Sequence, residues 1–390
     1  YSPNRIQNGN FSQIGNEEVT NGDFSQIGSE EVTNGDFSQI GSEEVTNGDF
    51  ATDSNWNMAG GTFEITNGKL HCISDGSYQY AGQGGVFVVG KTYKVTFDIV
   101  DYTSGSIRVR PSGQSPFNTY NANGTYTQYI TATNATLVIE RNSACDLFVD
   151  NVSVKEVLQD WTVADYGGTA ASASLSLDNG AVKITKTANS DWRSSFLRQT
   201  ITYTNTKFYK VSFKIKDGNT TGANIYVRHN YDTSSQTIAS GISLTSNFVE
   251  HTFYFQADSN STDISFGNVS WNSAGSGEYF FVDDVTVKEV GQDWTVTGSD
   301  STHYVEFLST GARFVSDTTS PVLELKQNIL TSGKEYVLTC NVAYTGAGQL
   351  RVNVGSNLTA FTEGANTRYF TATSSTMSFL RENANVDALL

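Results

Sequence analysis

Runs in which apolar and polar residues alternate strictly recur along the chain and predict strands with one buried face. In the clearest run, Tyr93, Val95, Phe97 and Ile99 alternate with polar residues. Three such runs occur, and each is followed by a second predicted strand: 93–99 by 107–109, 209–215 by 225–227, and 336–342 by 350–352. No helical periodicity of useful length interrupts them. The pattern predicts an all-β chain of tandem antiparallel β-sandwich modules.

A segment at 155–163 recurs at 288–296 with a single difference and marks two module junctions. The predicted divisions are 1–46 for N-terminal repeats and 47–157, 158–290 and 291–390 for three sandwiches. The third sandwich is predicted to be truncated before its last strand, because it has no counterpart of 149–154. An open sheet edge is a liability. We therefore expect the protein to continue beyond residue 390, or a neighbouring chain to supply the strand.

The N-terminal segment repeats with a period of 13 residues, in copies that begin at Asn8, Asn21 and Asn34. A fourth start, Asn47-Gly48-Asp49-Phe50, opens the first sandwich. Because 13 is odd, one continuous strand would change faces at each copy, so each unit must turn. Two alternatives remain for this short β-type segment: stacked β rungs, or a duplicated first strand that is partly mobile. Because the first sandwich needs one copy, the spare copies predict homo-oligomer or filament contacts through 1–46.

Composition removes several function classes. Aromatic residues make up 12% of the chain, which is typical of a folded protein, and charged residues only 16%. The net charge of −16 disfavours nucleic-acid binding. No apolar run is long enough for membrane insertion. Cys72, Cys145 and Cys340 form no disulfide framework, although a Cys72–Cys145 pair stays open.

One motif resembles a phosphate-binding loop, because Gly85–Thr92 matches GxxxxGK[ST]. Bulky β-forming residues fill its centre, and a strand rather than a helix follows. We therefore expect neither nucleotide binding nor an organic cofactor. Neither GxSxG nor HExxH occurs, and nothing singles out a catalytic carboxylate pair, so the chain is predicted to be non-enzymatic.

Three short motifs carry a resemblance to a known family. Asn-Gly-Asp-Phe opens at 47–50, Gly-Lys-x-Tyr precedes core strands at 90–93 and 333–336, and Val-Asp-Asn/Asp-Val occurs at 149–152 and 282–285. Together they resemble carbohydrate-binding modules of the galactose-binding-like β-jelly-roll type over nearly all of 47–390. The second sandwich departs, with Thr206-Lys207-Phe208-Tyr209 instead of Gly-Lys-x-Tyr. The repeated start is also similar to repetitive structural and fibre proteins of bacteriophages. The resemblance implies jelly-roll sandwiches, and virion attachment or host-glycan recognition.

The spacing of Val149 and Val152, three apart, breaks the period of two and predicts a β-bulge at the acidic residues. In the resembling family, such an Asp and the opening Asn-Gly-Asp segment help to hold a structural Ca²⁺. The candidate ligands are Asp49, Asp150, Asp283 and Asp284. The alternative is that these are solvated carboxylates on an edge strand.

Glycan binding needs a flat aromatic ring against the sugar and polar groups for its hydroxyls. The second strand of each sandwich supplies such residues at outward positions, and two tryptophans lie in predicted loops. The candidates are Arg108, Arg110, Trp192, Tyr226, Arg228, His229, Tyr231, Trp271 and Arg351. The alternative is a solvated sheet face or a subunit contact. Trp56, Trp161 and Trp294 recur at the sandwich starts and are predicted to be packing residues.

The sequence thus predicts a non-enzymatic extracellular or virion-surface fibre or adhesion protein that binds a glycan or host surface. One alternative is a purely structural filament or capsid-decoration subunit. A second is the binding region of a larger polysaccharide-degrading enzyme.

Overall fold

The computed structural model describes residues 14–115, 117–165, 173–187, 195–221, 224–268, 276–308, 310–382 and 384–390. Within them the chain forms β-strands, one 3₁₀-helix at Ser234–Gln236 and no α-helix. The predicted all-β fold is confirmed. The described residues also contain no helix that could cross a membrane.

Two short strands, β1 (Ile27–Glu30) and β2 (Ile40–Glu43), belong to the N-terminal repeats. Sandwich 1 follows, with strands β3 (Asn57–Ala59), β4 (Glu64–Thr66), β5 (Lys69–Ser74), β6 (Tyr80–Gln83), β7 (Thr92–Ser104), β8 (Ile107–Pro111), β9 (Gly124–Thr131), β10 (Leu137–Arg141) and β11 (Cys145–Val157). Its larger sheet has the order β4-β5-β11-β7-β9 and its smaller sheet the order β3-β6-β10-β8. All pairs are antiparallel.

Sandwich 2 repeats this plan. Its strands are β12 (Thr162–Asp165), β13 (Ala173–Asp178), β14 (Ala181–Lys186), β15 (Ser195–Thr200), β16 (Phe208–Asp217), β17 (Ile225–Arg228), β18 (Thr237–Ile242), β19 (Val249–Gln256), β20 (Asp263–Asn268) and β21 (Tyr279–Val290). The larger sheet has the order β13-β14-β21-β16-β19, and the smaller sheet β12-β15-β20-β17-β18.

Sandwich 3 has the same order with a short final strand. Its strands are β22 (Thr295–Thr297), β23 (His303–Leu308), β24 (Gly311–Ser316), β25 (Glu324–Gln327), β26 (Glu335–Tyr344), β27 (Leu350–Asn353), β28 (Gly364–Thr371), β29 (Met377–Arg381) and β30 (Val386–Leu389). The sheets run β23-β24-β30-β26-β28 and β22-β25-β29-β27.

Each sandwich has its own apolar core between its two sheets. The alternation of β7 and β16 works as predicted, because Tyr93, Phe97, Tyr209 and Phe213 are all 2% exposed or less. Cys72 and Cys145 are buried in sandwich 1 as free thiols, so the pairing left open by the sequence is not formed.

The N-terminal repeats bind to the sandwiches, one copy to each and in reverse order. We call the segment Val-Thr-Asn-Gly-Asp-Phe the docking hexapeptide; it occurs at 19–24, 32–37 and 45–50. The copy at 19–24 contacts sandwich 3, the copy at 32–37 contacts sandwich 2, and the copy at 45–50 contacts sandwich 1. The N-terminal segment therefore runs back along the sandwiches.

The same contacts recur at each docking hexapeptide. Its Phe packs on a tryptophan: Phe24 on Trp294 at 5.1 Å, Phe37 on Trp161 at 5.2 Å and Phe50 on Trp56 at 5.2 Å between ring centroids. The indole N–H of each tryptophan donates to the carbonyl of Asn21, Asn34 or Asn47. The Thr main chain exchanges two hydrogen bonds with Gln327, Gln199 or Gln83. The predicted packing role of the three tryptophans is confirmed.

These contacts correct two expectations about the repeats. The repeats do not stack as rungs on one another, since β1 pairs with β21 and β2 with β11. The spare copies are also not spare, because sandwiches 2 and 3 each use one. Homo-oligomer contacts through 1–46 stay a prediction, but one edge of β1 and one edge of β2 already pair within the chain.

Candidate carbohydrate-binding face

Five of the nine predicted sugar-contacting residues lie on strands of the smaller sheets. In β8, Ile107 and Val109 point into the core at 0% and 2% exposure, so Arg108 and Arg110 point outward. The corresponding positions are Tyr226 and Arg228 in β17, where Arg228 is buried at 5% exposure, and Arg351 and Asn353 in β27. The alternation that predicted this face is confirmed in β8.

In sandwich 1 the outward arginines converge on a buried carboxylate. Glu140 in β10 has a side chain only 1% exposed. Arg110 Nε donates to Glu140 Oε1 at 2.6 Å, and Arg108 Nε lies 3.3 Å from the same oxygen. Tyr78 donates its hydroxyl to Glu140 Oε2 at 2.9 Å. A carboxylate this buried needs such partners, and here two cations and a phenol supply them.

Phe117 covers this charged cluster from outside. Its ring centroid lies 4.5 Å from Cζ of Arg108 and 4.7 Å from Cζ of Arg110, a cation–π arrangement with both guanidinium groups. Phe117 is 41% exposed and Tyr78 is 54% exposed. The face thus presents two accessible aromatic rings, each held by a buried polar anchor.

Sandwich 2 builds a different cluster at the equivalent place. Cζ of Arg228 lies 4.9 Å from the ring of Phe196 and 5.4 Å from that of Tyr226. Arg228 donates to the main-chain carbonyl of Tyr231 at 3.0 Å. Cζ of Arg198 stands 4.5 Å from the ring of Tyr231. Three of the predicted residues, Tyr226, Arg228 and Tyr231, are therefore brought together.

Asp263 supports the loop that carries Tyr231. It is fully buried and accepts the main-chain N–H of Tyr231 at 3.2 Å. Burial raises the pKa of Asp263, while hydrogen bonds from Ser265, Thr262 and Tyr231 oppose that rise. The carboxylate therefore acts as a positioning group rather than as a surface charge.

His229 does not join this cluster. Its ring stacks on the core residue Phe255, with centroids 4.8 Å apart, and its Nδ1 lies 2.8 Å from Oγ of Ser261. Burial lowers the pKa of His229 to about 4. The imidazole is therefore neutral at pH 7 and belongs to the interior.

Among the described residues, Arg351 in sandwich 3 makes no cation–π contact with an aromatic ring. It pairs with Glu382 at 3.1 Å, and both side chains are about one-third exposed or less, at 27% and 32%. Trp192 and Trp271 lie outside the described residues. The strand ends next to them are described: β15 begins at Ser195, and β20 ends at Asn268.

Several residues of these clusters escaped the sequence analysis. They are Tyr78, Phe117, Glu140, Phe196, Arg198 and Asp263. A signal existed for Glu140, because it interrupts the otherwise apolar run Leu137-Val138-Ile139 in a strand. Phe117 offered none, since it lies in a loop and meets the arginines only in three dimensions.

The predicted bulges are present at the acidic positions. In sandwich 1 the register between β11 and β7 shifts between Asp150 and Ser153. In sandwich 2 the register between β21 and β16 shifts between Asp283 and Thr286. Asn151 and Asp284 adopt left-handed backbone, with φ of 52° and 48°. The bulge turns Asp284 to Lys214, whose Nζ lies 2.6 Å from Oδ2.

The Gly85–Thr92 segment does not form a phosphate loop. Its lysine, Lys91, lies 2.8 Å from Glu156, and β7 follows it directly. An ammonium neutralised by a carboxylate offers little to a phosphate. The absence of nucleotide binding stays a prediction.

No family model and no curated protein matches this sequence. Among solved structures, a CBM4 carbohydrate-binding module is similar, with 24% identity and a TM-score of 0.26 over 33% of this chain and 86% of that one. The tandem CBM22 modules of Paenibacillus barcinonensis Xyn10C match with 10% identity and a TM-score of 0.24, over 64% and 98% of the two chains. The enzymatically active tailspike protein 4 of bacteriophage CBA120 matches with 14% identity and a TM-score of 0.24, over 34% and 19%. TM-scores this low identify neither a function nor a ligand for this chain.

Proposed function

We propose that the chain is a non-enzymatic, surface-exposed binding protein whose sandwich 1 recognises a glycan. The observation that carries this proposal is the pair of exposed rings, Phe117 and Tyr78, anchored on the buried cluster of Glu140 with Arg108 and Arg110. A sugar ring packs its C–H face on an aromatic ring and offers its hydroxyls to neighbouring polar groups.

Preorganisation is what separates this face from an ordinary polar surface. The side chains of Arg108 and Arg110 are only 15% and 14% exposed, so most of their conformational entropy is already lost on folding. Binding then orders few additional groups, which favours affinity from a small contact area. The face of sandwich 2, built from Tyr226, Arg228 and Tyr231, is a second candidate of the same kind.

We expect the full chain to bind a subset of a glycan array, and Phe117→Ala to weaken that binding about threefold to tenfold. This corresponds to the loss of about 0.5–1.5 kcal/mol of aromatic stacking. Affinity for the best glycan would be measured by calorimetry. Tyr369→Ala is the matched control, because Tyr369 is an aromatic residue of sandwich 3 that is 81% exposed. Equal losses in both variants, or no glycan bound at all, would count against the proposal.

The fibre role is a second candidate, supported by the docking hexapeptides. The N-terminal segment contacts all three sandwiches and so holds them together, as a fibre on a cell or virion surface requires. The same glycan-binding face would serve the binding region of a polysaccharide-degrading enzyme. Extracellular or virion-surface location is part of this proposal.

Calcium at the bulges is a further part of the proposal, and its best location is sandwich 2. Burial raises the pKa of Asp283, and the negative charges of Asp284 and Asp36 add to the rise. Asp36 belongs to the docking hexapeptide, so it is the counterpart of Asp49 in sandwich 1. The fit is partial: Asp284 is paired with Lys214, and the described residues contain no group of three acidic, His or Cys side chains placed to hold a metal ion. Main-chain carbonyl oxygens would have to complete the shell.

If Ca²⁺ binds between Asp36 and Asp283, removing it with EDTA should lower the melting temperature of sandwich 2. A ligand at a hundred times its Kd stabilises by about 2.7 kcal/mol. Calorimetry with EDTA and with added Ca²⁺ measures the effect. Asp283→Asn should abolish the dependence on Ca²⁺. If no ion binds, the same variant should be neutral or stabilising, because it relieves repulsion between carboxylates.

A further inference from the structure

A cleft with a volume of about 360 Å³ lies at the junction of sandwiches 2 and 3. The sequence of sandwich 2 departs here from that of sandwich 1, because Phe208 stands where sandwich 1 has Thr92. Phe208 is 8% exposed and packs on Phe307 of sandwich 3, with ring centroids 5.2 Å apart. Phe208 also lines the cleft, whose volume falls in the range of about 300–1,000 Å³ that small ligands use.

Aromatic side chains line this cleft from both sandwiches. Phe208 and Tyr254 belong to sandwich 2, and Tyr304 belongs to sandwich 3. Tyr254 is partly buried against the core of sandwich 3. Burial raises the pKa of its phenol, and the negative charge of Glu306 adds to the rise. The cleft therefore combines apolar rings with a nearby carboxylate.

Asp300 lines the cleft and is bound to the protein through only one of its two carboxylate oxygens. Its Oδ1 accepts the main-chain N–H groups of Thr302 and His303 at 2.8 Å each, and it lies 2.8 Å from Nδ1 of His303. The side-chain bond to His303 and the main-chain bond from Thr302 lower the pKa of Asp300 to about 2. No described residue donates to Oδ2. Asp300 is therefore an ionised, fixed group with one oxygen left for a ligand.

Glu306 and Gln256 follow the same rule on the other parts of the wall. Arg313 Nη1 donates to Glu306 Oε2 at 3.0 Å, and Gln256 Nε2 donates to the carbonyl of Thr206 at 2.9 Å. Within the described part of the chain, Oε1 of Glu306 and Oε1 of Gln256 receive no hydrogen bond. The cleft therefore has three held side chains, each with one acceptor oxygen to spare.

Negative charge is in excess around the cleft, because each neighbouring cation is shared by two carboxylates. The two groups are Arg313 between Glu306 and Asp387, and His303 between Asp300 and Asp317. None of the described residues that line the cleft is basic. The cleft at the junction of sandwiches 1 and 2, in contrast, is lined by Lys91. The first cleft therefore favours a ligand that brings a positive charge.

We propose that the cleft between sandwiches 2 and 3 binds an amino sugar through its ammonium group. An ammonium has three N–H donors and no acceptor, which matches the spare oxygens of Asp300, Glu306 and Gln256. Its hydrogen bonds to carboxylates are charge-assisted, and aromatic faces attract cations. A pyranose ring adds a flat C–H face for the tyrosines within the same small molecule. The site is separate from the face of sandwich 1, so it does not depend on the proposed function.

The test uses the full chain with two sugars, glucosamine and N-acetylglucosamine, which has the same ring but an uncharged amide. At about pH 6 the amine is protonated and Asp300 is ionised. In calorimetric titrations we expect glucosamine to bind at least tenfold more tightly than N-acetylglucosamine. Glucosamine should slow hydrogen exchange at 254–256 and 299–306, and it should not do so at 156–162, which line the other cleft.

Glu306→Gln should weaken glucosamine binding about tenfold, because a charge-assisted hydrogen bond becomes a neutral one. Glu250→Gln is the matched control, since Glu250 is an exposed carboxylate of β19 outside the cleft and the same charge is lost. That control should leave affinity unchanged. Gln256→Lys should abolish binding, because it places an ammonium in the cleft. Phe117→Ala should not change glucosamine binding, which separates this site from the face of sandwich 1.

Three results would overturn the proposal. The first is equal affinity for the two sugars, or binding of neither, because no ammonium is then recognised. The second is glucosamine affinity that both Glu306→Gln and Gln256→Lys leave unchanged. The third is slower exchange confined to β8 and β10, which would assign the sugar to the face of sandwich 1.

Discussion

Replacing Gly35 with alanine is expected to release the second docking hexapeptide from sandwich 2. None of the three hexapeptide glycines has left-handed backbone, so alanine meets no conformational penalty there. The obstacle is the close approach of the two segments, because the new Cβ would lie 2.0 Å from the carbonyl oxygen of Val285. The main-chain N–H of Val285 donates to the carbonyl of Gly35 at 2.9 Å and holds the segments at this distance. The two segments must separate to accommodate it.

Separation exposes Val32 and Phe37, which are 6% and 1% exposed. Burial of such side chains contributes about 1.5–3 kcal/mol each, so the local loss is about 3–6 kcal/mol. Hydrogen exchange over 27–37 should therefore accelerate about a hundredfold or more. Mass spectrometry measures this exchange, and the fluorescence of Trp161, which packs on Phe37, should change with it.

Gly22→Ala is the matched control within the same chain. The substitution, the hexapeptide and the local turn are identical, but only Val19 lies within 4 Å of the new Cβ. We expect exchange over 19–24 to be unchanged, and Gly48→Ala to behave like Gly35→Ala. If Gly22→Ala accelerates exchange as strongly as Gly35→Ala, strand contact is not what requires glycine.

The sandwiches were predictable because their pattern is local. Alternation at Tyr209 and Phe213 reports burial within one strand, and the recurring Lys-Glu-Val-x-Gln-Asp-Trp segment reports the module period. These features need no knowledge of distant contacts. Comparison with the other two sandwiches predicts a third sandwich without its last strand, whereas the structure forms a short one, β30.

Docking of the repeats was not predictable in the same way. The three hexapeptides are identical, so nothing within them says which sandwich each contacts. The choice depends on partners more than a hundred residues away, such as Gln199 for Thr33 and Gln327 for Thr20. Identical copies favour a prediction that they stack on one another. The surfaces that they contact, around Trp161 and Trp294, form only when the sandwiches fold.

The candidate face was half predictable. Alternation placed Arg108 and Arg110 on the outer side of β8, but it could not pair them with Glu140, two strands later in the chain. The sequence leaves open that these charges lie on a solvated face, whereas in the structure Phe117 and Tyr78 contact the charged groups and partly cover them. Loop residues carry no periodicity, so Phe117 could not be recognised from the sequence.

Replacing Glu140 with alanine is expected to destabilise sandwich 1 by about 3–5 kcal/mol, the usual cost of leaving a buried charge without its partner. Arg108 and Arg110 would lie side by side on one face of β8 with no carboxylate to neutralise them, and Tyr78 would lose its acceptor. Hydrogen exchange of β8 and β10, and the urea midpoint of sandwich 1, would report the loss.

Glu382→Ala tests whether burial or simple pairing produces this effect. Glu382 also pairs with an outward arginine, Arg351, but its side chain is 32% exposed against 1% for Glu140. Exposed pairs contribute about 0–1 kcal/mol, so sandwich 3 should lose no more than that.

The two substitutions should also differ in their effect on glycan binding, because Phe117 packs on the two arginines that Glu140 holds. Loss of Glu140 should therefore weaken glycan binding together with stability, whereas Glu382→Ala should leave glycan binding unchanged. Equal destabilisation by the two substitutions would show that Glu140 is an ordinary surface charge and would remove the anchor from the proposed face.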